Sequence, residues 1–398
     1  AAAGRSWSEP YRSGWPRYGD AVIDALAFPQ RDPVGPADAS VALPNSGVSA
    51  LDVIADAVAA NAASADAAGV PRETIDALAV AGLLGSPLQP ASAHRELGEL
   101  IAGSDASTWF CWVQHQTPLR ILEGAVGSAA SGDGLRAELL PGLRSGELLA
   151  AVAFAHVRRP GPANPVATRI PGGWRLDGTL DWVTSWDIAD VVMVMAQGSG
   201  DDSGALVCCY LPAGRAAEVT IGLSVGEPLR LLAMSGTHTR PVRLDGVIIP
   251  DERVGAVLDR APWLAADAIK TADANPSAFG VTRGAIAELD LLAEQRSDSL
   301  MAELADALAA ECRSVRSAAY AMADDPDAPV VDRLRQRAVS LDLLVRATTA
   351  VVVARAGASM RAGQPAERRL REAMFLQVQA QTALTREASL RLMLGRSG

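Results

Sequence analysis

The chain has few lysines and cysteines and no long apolar run, and each of these shortages argues against a class of partner or site. It has 398 residues and a single lysine, Lys270, so nearly all of its positive charge is arginine. The formal net charge is −10 at neutral pH, and the sequence pI is near 5.0. Nucleic-acid binding needs clustered Lys and Arg facing phosphates. We therefore expect no nucleic-acid partner.

Long apolar runs and paired cysteines are missing as well. No stretch approaches the roughly 18 consecutive apolar residues that a membrane span needs, so we expect no membrane partner. The four cysteines lack C-x-x-C spacing, and the adjacent Cys208 and Cys209 would point to opposite faces of a strand. We expect no metal site, buried reduced thiols and a cytoplasmic location. The chain begins at Ala1 without a charged-then-apolar leader, so no signal peptide is expected.

The most informative stretch is residues 172–197, GGWRLDGTLDWVTSWDIADVVMVMAQ. Its alternation and its apolar run predict two β-strands joined by a polar turn. Trp174 and Trp182 share one parity of the first strand. Residues 182–186 form a cluster of aromatic and hydroxyl side chains, which can hold a flat π-system on an indole while a hydroxyl bonds its polar edge. The alternative is a strand turn with a tryptophan packed in the core.

The order of patterns indicates three regions after an extension. Helical spacing begins near residue 46, and short apolar segments between Gly, Pro and Asp turns favour an antiparallel barrel or sandwich in the middle. Helical spacing then returns and continues to the end. We expect an extension or linker at 1–45, an N-terminal helical domain at 46–148, a middle β domain at 149–258 and a C-terminal four-helix-type bundle at 259–398.

Three shorter segments carry predictions of their own. Residues 227–232, EPLRLL, are predicted to form a strand, and residues 367–394 one continuous last helix. In the extension, four aromatic residues stand among prolines and glycines: Trp7, Tyr11, Trp15 and Tyr18. Such a composition is typical of a segment that docks on a surface or of a disordered linker.

Residues 177–197 resemble the strand pair of the acyl-CoA dehydrogenase superfamily that reads G-x-K-x-W-I-T-N/S-G-x-x-A-D. Residues 232–254 resemble the superfamily's G-x-R-x-[ST]-x-x-x-x-V-x-F-x-x-V-x-V-P block, and residues 69–85, GVPRETIDALAVAGLLG, resemble its opening. Ordered matches at the family's spacing argue against coincidence. The resemblance covers residues 46–398.

The resemblance implies an α+β fold with an N-terminal helical domain, a middle antiparallel β-barrel domain and a C-terminal helical bundle. It implies FAD as the cofactor, with Trp182 and Thr184 against the isoalloxazine ring, and we expect Ser185 and His156 as further cofactor contacts. The leading function is then FAD-dependent oxidation of an acyl thioester at the α,β carbons, with acyl-CoA or another small molecule as substrate. A homo- or hetero-oligomer through the C-terminal helices is also implied.

The superfamily's catalytic base is missing. In most members a glutamate follows an R-D-A-x-x-x-x-x-Y phrase, which aligns here on residues 371–379 and places Ala380 and Gln381 where Glu-Gly is expected. Some members take the base from the first helix of the C-terminal bundle, where this chain offers Glu288 and Asp290. Both lie well inside that helix and, as exposed helix residues, are expected to be solvated. The catalytic residue is therefore unknown.

The superfamily's phosphate-binding phrases are altered too. Its R-x-x-F-G phrase corresponds to residues 294–299, without Phe-Gly, and its T-E-P-G phrase becomes Arg158-Arg159-Pro160-Gly161. Arginines there can pair with phosphates bidentately. Solvated loop charges are the alternative, so the FAD expectation depends on the strand pair.

His115 and Trp112 are the expected substrate contacts, because Trp112, His115 and Gln116 are spaced to share one helix face. The superfamily also contains flavin-dependent monooxygenases in which a histidine on this helix and a serine on the Trp-Thr strand border the flavin. His115 and Ser185 resemble those residues. We predict that His115 lines a cavity facing Trp182 and Ser185. A core histidine with satisfied hydrogen bonds is the alternative.

Two further functions therefore stand beside thioester oxidation. A flavin-dependent monooxygenase of the same fold is favoured by His115 and by the missing glutamate. A non-catalytic partner subunit of a heteromeric acyl-CoA dehydrogenase would keep the fold after losing the base and the phosphate loop.

Overall fold

The computed structural model describes residues 50–85, 90–124, 133–159 and 161–395, so the predicted extension at residues 1–45 lies outside the described residues. Helices lie at both ends of the described chain, and an eight-stranded sheet lies between them. The predicted α+β class and its order of helices, sheet and helical bundle are confirmed.

Five helices precede the sheet, and the second begins directly after Pro71: α1 (Ala50–Ala68), α2 (Arg72–Val80), α3 (Ala91–Ser104), α4 (Ala106–Leu122) and α5 (Asp133–Ser145). Helix α2 ends at Val80, because Gly82 takes a left-handed φ of 72° and the Leu83 N–H donates back to the Leu78 carbonyl. Asp105 separates α3 from α4, and its carboxylate accepts the Thr108 N–H. Helix α5 has no counterpart among the predicted elements.

The eight strands form one sheet in the order β6-β7-β3-β2-β4-β5-β8, with β1 paired to β4: β1 (Ala150–Ala153), β2 (Val166–Ile170), β3 (Gly173–Val183), β4 (Val191–Gly198), β5 (Ala205–Pro212), β6 (Leu223–Val225), β7 (Arg240–Pro250) and β8 (Val254–Asp259). Both β1 and β2 pair with β4 in parallel, and the other pairs are antiparallel. The sheet is therefore mixed, whereas the sequence predicted antiparallel pairing throughout. The four cysteines are buried and free, as expected.

The strand predicted at residues 227–232 is wrong. That segment has no regular structure, and the short strand β6 lies just before it. Pro228 lacks an N–H for a strand ladder, and the Leu229 N–H donates to Thr239 at one isolated position. Strand β8 was not among the predicted elements.

Six helices follow the sheet: α6 (Arg260–Ala272), α7 (Pro276–Arg296), α8 (Ser299–Asp324), α9 (Val330–Arg355), α10 (Pro365–Val378) and α11 (Ala383–Gly395). The single last helix predicted over residues 367–394 is wrong, because the chain breaks after α10 and Ala380 has a left-handed φ of 50°. Arg337 donates to the Gln379 carbonyl and Asn275 to its side chain, so side chains from α9 and from before α7 hold the break. No described helix is both long and apolar enough to cross a membrane.

Helices α3 and α7 cross in backbone contact. A Cβ added to Gly280 would lie 2.2 Å from the Glu99 carbonyl oxygen, and one added to Gly284 would lie 2.7 Å from the Gly103 carbonyl oxygen. Real Cβ atoms do not approach so closely, so the crossing distance requires glycine at these positions.

Ion pairs and a hydrogen bond to Glu99 stabilise the same crossing. Its buried carboxylate accepts from Arg283 at 2.7 Å, from Arg316 at 2.6 Å and from Tyr320 at 2.5 Å. The three donors come from α7 and α8. A fully desolvated carboxylate is tolerated because several donors satisfy it.

We predict that Gly280→Ala lowers the free energy of unfolding by about 1–3 kcal/mol, because the added methyl group overlaps a backbone oxygen that cannot rotate away. Gly134→Ala is the matched control, since Gly134 lies in α5 with nothing within 4 Å of an added Cβ. It should change the free energy of unfolding by less than about 1 kcal/mol. Urea unfolding of both variants measures this, and equal midpoints would contradict the crossing geometry.

Candidate functional site

The end of β3 displays Trp182 to solvent. The register between β3 and β7 shifts between Leu180 and Val183, as at a β-bulge, and such a shift changes which face the side chains occupy. Trp182 is therefore 50% exposed, while Trp174 is 4% exposed. The prediction from parity that both tryptophans share a face fails at this irregularity.

Ser185 begins the turn that follows β3. Its φ is 66°, in the left-handed region, and its N–H donates to the Thr237 carbonyl at 2.8 Å. Its buried hydroxyl has no partner in good hydrogen-bond geometry among the described residues. Burial raises the pKa of the neighbouring Cys111 thiol to about 12, and the Ser185 hydroxyl lies close enough to oppose that rise. A buried hydroxyl without a strong partner is unusual, and it makes this turn a candidate for ligand binding.

Thr184 ends a chain of buried hydroxyls. Thr237 Oγ1 donates to the Met234 carbonyl at 2.7 Å, so it accepts from Thr239 at 2.8 Å. Thr239 in turn accepts from Thr184 at 3.2 Å. The Thr184 hydroxyl therefore donates its proton to Thr239, and the lone pairs of its oxygen can accept from an N–H group of a ligand. Sequence reasoning missed Thr237 and Thr239, although both lie in the second block of resemblance.

The loop that carries these threonines is anchored on the N-terminal helices. The Val70 N–H donates to the Gly236 carbonyl at 2.8 Å, and His238 Nε2 hydrogen-bonds the Val70 carbonyl at 2.9 Å. A Cβ on Gly236 would lie 2.3 Å from the Ala65 carbonyl oxygen, so the loop approaches α1 as closely as backbone allows. The turn after β3 is therefore positioned by both the sheet and the helices.

His115 is enclosed in the protein and uses both ring nitrogens. The Ala150 N–H donates to Nδ1 at 3.0 Å, so Nε2 carries the proton and donates to the Leu143 carbonyl at 2.9 Å. Burial lowers its pKa to about 4, and the Leu143 carbonyl opposes that shift. These bonds give His115 a structural role that joins α4 to α5 and β1. The predicted substrate contact stays a prediction.

Trp112 and Gln116 lie on the predicted common face of α4 and are also buried. Trp112 Nε1 donates to the Leu83 carbonyl at 2.7 Å, and Gln116 Nε2 donates to the Leu84 carbonyl at 2.9 Å. The Trp112 ring lies 5.1 Å from that of His94. Trp112 thus has its polar atom satisfied and one ring face against an imidazole.

His156 lies near the exposed end of β3. Its Nε2 hydrogen-bonds the Met195 carbonyl at 2.6 Å, and burial lowers its pKa. Arg159 pairs with Asp181, the residue before Trp182, and both charges act on the pKa of His156. The structure therefore brings His156 and Trp182 to one region, whereas His115 bonds to α5 and β1.

The arginines of the altered phosphate phrase are occupied by carboxylates of this chain. Arg158 binds both oxygens of Asp267 at 2.7 Å, and Arg159 binds Asp181. Among the described residues, neither guanidinium is left for a phosphate without breaking an internal ion pair.

Glu288 is buried, so the expectation that it is solvated is wrong. It accepts from Arg355 at 2.5 Å and is paired with Arg369. Asp290 lies on another side of α7, where burial first and then Glu294 and other acids raise its pKa. The burial of Glu288 could not be predicted from the local sequence, because the two arginines that pair with it come from α9 and α10, far along the chain.

Comparisons with known proteins bear on the fold. No protein-family model and no curated protein sequence matches the chain. Butyryl-CoA dehydrogenase from Megasphaera elsdenii superimposes with a TM-score of 0.69 at 18% identity, covering 86% of this chain and 97% of that one. Dibenzothiophene monooxygenase TdsC from Paenibacillus sp. A11-2 superimposes with a TM-score of 0.67 at 18% identity, covering 87% and 97%.

KijD3, solved in complex with FMN and a dTDP-linked amino-keto sugar, gives a TM-score of 0.65 at 19% identity, covering 89% of this chain and 95% of that one. The chain has the acyl-CoA dehydrogenase fold. Proteins of different activities share this fold, so the superposition leaves the reaction to be argued from the site.

We predict that stability falls as the pH drops from 6.5 to about 4, and that His115→Gln reduces this loss. The folded pKa of His115 lies near 4, below the ordinary 6.5, so the unfolded chain binds more protons in that window. The full contribution is about 3 kcal/mol, at about 1.4 kcal/mol per pKa unit. At pH 7 the variant should lose about 1–2 kcal/mol, because glutamine keeps a donor and an acceptor in imperfect positions.

Urea unfolding at pH 7 and pH 5 measures the effect, with the neighbouring Gln114→Ala as the control that removes no titrating group. An unchanged difference between the two pH values in His115→Gln would show that His115 does not carry the predicted linkage.

Proposed function

We propose that this chain is a flavin-dependent oxidoreductase of the acyl-CoA dehydrogenase fold, with the flavin ring against Trp182. The observation that carries the cofactor proposal is the half-exposed Trp182 indole at the end of β3. This is the residue that the resemblance assigns to the isoalloxazine ring, and an exposed indole face suits a flat conjugated ring. Thr184, which donates inward, and the buried Ser185 follow it by two and three residues.

The binding we propose is reversible. The resemblance implies FAD, but Arg158 and Arg159, which replace the T-E of the phosphate phrase, are held by Asp267 and Asp181. With those guanidinium groups engaged, the ring contacts contribute most of the affinity, and FMN and FAD should both be accepted.

The reaction we propose is oxygenation of a small molecule, in preference to oxidation of an acyl thioester. Thioester oxidation needs a base for the α-proton. Ala380 and Gln381 occupy the expected position, and Glu288 is enclosed by Arg355 and Arg369. A bound flavin would supply the redox chemistry, and oxygenation by reduced flavin needs no carboxylate to remove a carbon-bound proton.

The hydroxyl chain is consistent with reduced flavin as the bound form. Thr184 donates inward and can only accept from a ligand, as the bonds of Thr237 and Thr239 require. Reduced isoalloxazine carries an N–H where the oxidised ring has a bare acceptor nitrogen. In this proposal Trp182 orients the ring and Thr184 accepts from its edge.

A non-catalytic partner subunit is the second candidate, and surface apolar residues favour an oligomer in either case. Large apolar side chains are exposed on the C-terminal helices: Leu300, Val353, Met374, Val378, Leu390 and Leu394. Exposed apolar surface of this kind is typical of protein contacts. An oligomer through these helices is therefore part of the proposal.

We predict that the protein quenches the fluorescence of added FMN and FAD, and that Trp182→Ala weakens binding by about two- to tenfold, since losing one aromatic stacking contact costs about 0.5–1.5 kcal/mol. Trp182→Phe is the matched variant, because it keeps an aromatic face, and it should retain most of the affinity. Fluorescence titration with oxidised flavin, and anaerobic titration with reduced flavin, measure this.

Wild-type protein that binds neither form of either flavin would overturn the proposed function. The partner-subunit candidate would then lead, and copurification of a second related chain would support it.

A further inference from the structure

A groove of about 240 Å³ lies between α1 and α2. Small or apolar side chains make up most of its walls, and its lining residues include Ile54, Ala57, Asn61, Pro71, Glu73 and Ala77. Val80, three residues beyond Ala77, is 91% exposed and continues the apolar side of α2. Among the described residues, apolar surface is therefore left uncovered between these two helices.

The size of the groove favours peptide side chains as its contents. Pockets that hold drug-sized small molecules commonly measure about 300–1,000 Å³, and this groove is smaller. Ala57 and Ala77 stand on its two walls, so the space between the helices suits large side chains from another segment. Asn61 Nδ2 donates to the Ala57 carbonyl at 3.1 Å, and its Oδ1 can accept from an indole N–H or a phenol.

The extension supplies side chains of this kind. Four of the chain's twelve tryptophans and tyrosines lie in its first 18 residues, so they are strongly concentrated there: Trp7, Tyr11, Trp15 and Tyr18. The same 18 residues contain no Val, Leu, Ile or Met, so they cannot bury these rings in a core of their own. Trp and Tyr gain most when the ring is buried and the polar tip keeps a hydrogen bond.

The charges of the extension and the groove are complementary. Residues 1–18 carry Arg5, Arg12 and Arg17 against one acid, within a chain whose net charge is −10. Helix α1 has no basic residue, and the buried Arg72 of α2 is engaged by carboxylates. Glu73, on the groove wall, is exposed and forms no ion pair with a described residue. An arginine of the extension would give it one.

The connection between the two is long enough and starts in the right place. Helix α1 begins at Ala50, and Ile54 in its second turn already lines the groove. From Ala50 to Asn61 the helix rises about 17 Å. Residues 19–49 can span up to roughly 100 Å when extended, so residues 7–18 of the same chain reach every part of the groove. Tethering also raises their effective concentration to about millimolar.

We propose that residues 7–18 dock their aromatic side chains in the groove between α1 and α2 of the same chain, with their arginines beside Glu73. Docking braces the turn between the two helices, because Pro71 lines the groove and follows Val70. The Val70 N–H donates to the Gly236 carbonyl at 2.8 Å, and its carbonyl bonds His238 at 2.9 Å. The occupied groove therefore stabilises the loop that carries Thr237.

A cysteine placed in the groove reports on docking, because the four native cysteines are buried. Ala77→Cys puts a thiol at an exposed position on the groove wall, and its alkylation by a maleimide in the whole flavin-free chain is followed by mass spectrometry. Replacing the four aromatic residues of the extension together by serine should speed alkylation roughly tenfold, because buried aromatic surface favours the docked form that covers the thiol.

Ala63→Cys is the matched control, since Ala63 is exposed on α1 and does not line the groove. Its alkylation rate should be the same with and without the four aromatic side chains. Thermal melting of each variant checks that folding is preserved.

A second measurement leaves the extension unchanged. Ala77→Trp fills the groove with a side chain of its own and should displace the extension, so trypsin should cleave after Arg12 and Arg17 several-fold faster than in the wild type. Ala63→Trp adds the same ring outside the groove and should leave both cleavage rates as they are.

Equal alkylation of Ala77→Cys with and without the aromatic side chains would overturn the proposal, as would equal cleavage of Ala77→Trp and the wild type. Protection of the thiol that rises with protein concentration would assign the groove to the extension of a second copy, and would overturn docking within one chain. None of these measurements involves flavin, so the proposed function and this inference can fail separately.

Discussion

The backbone contact between α3 and α7 is the constraint on which the arrangement of the helices depends. Gly280 and Gly284 let the two helices approach until only hydrogen atoms separate their backbones, and the buried Glu99 binds donors from α7 and α8 at the same crossing. Helix α4 follows α3 after one residue, and α6 ends shortly before α7 begins.

Arginine–carboxylate pairs within this chain engage side chains that the resemblance would assign to phosphate binding or to the catalytic base. Glu288 is enclosed by two arginines, and Arg158 is held by Asp267. Both ring nitrogens of His115 are also engaged, because each forms a hydrogen bond with a backbone group. Buried groups with satisfied partners contribute rigidity and are poorly placed for proton transfer. Among the described residues, the buried Ser185 hydroxyl, which lacks a strong partner, is therefore the informative group, and it lies in the turn after β3.

The sequence motifs were sufficient for the order of the three regions, helices, sheet and helical bundle, and for the strand pair that carries Trp182. They were insufficient wherever a contact between distant segments decides the local outcome. A bulge against β7 turns Trp182 away from the face of Trp174, and Arg337 from α9 holds the break after Gln379.

The central claim is that this fold here supports oxygenation by flavin without a carboxylate base. The most direct measurement mixes flavin-loaded protein anaerobically with a series of acyl-CoA thioesters, and separately follows oxygen uptake by protein supplied with reduced flavin and candidate small-molecule substrates. We expect that no thioester bleaches the flavin absorbance, and that a small-molecule substrate accelerates oxygen consumption above the rate of free reduced flavin. Bleaching by any acyl-CoA would contradict the claim, because it would require a base, whereas Ala380 and Gln381 stand where the resemblance places that base and Glu288 is held by Arg355 and Arg369.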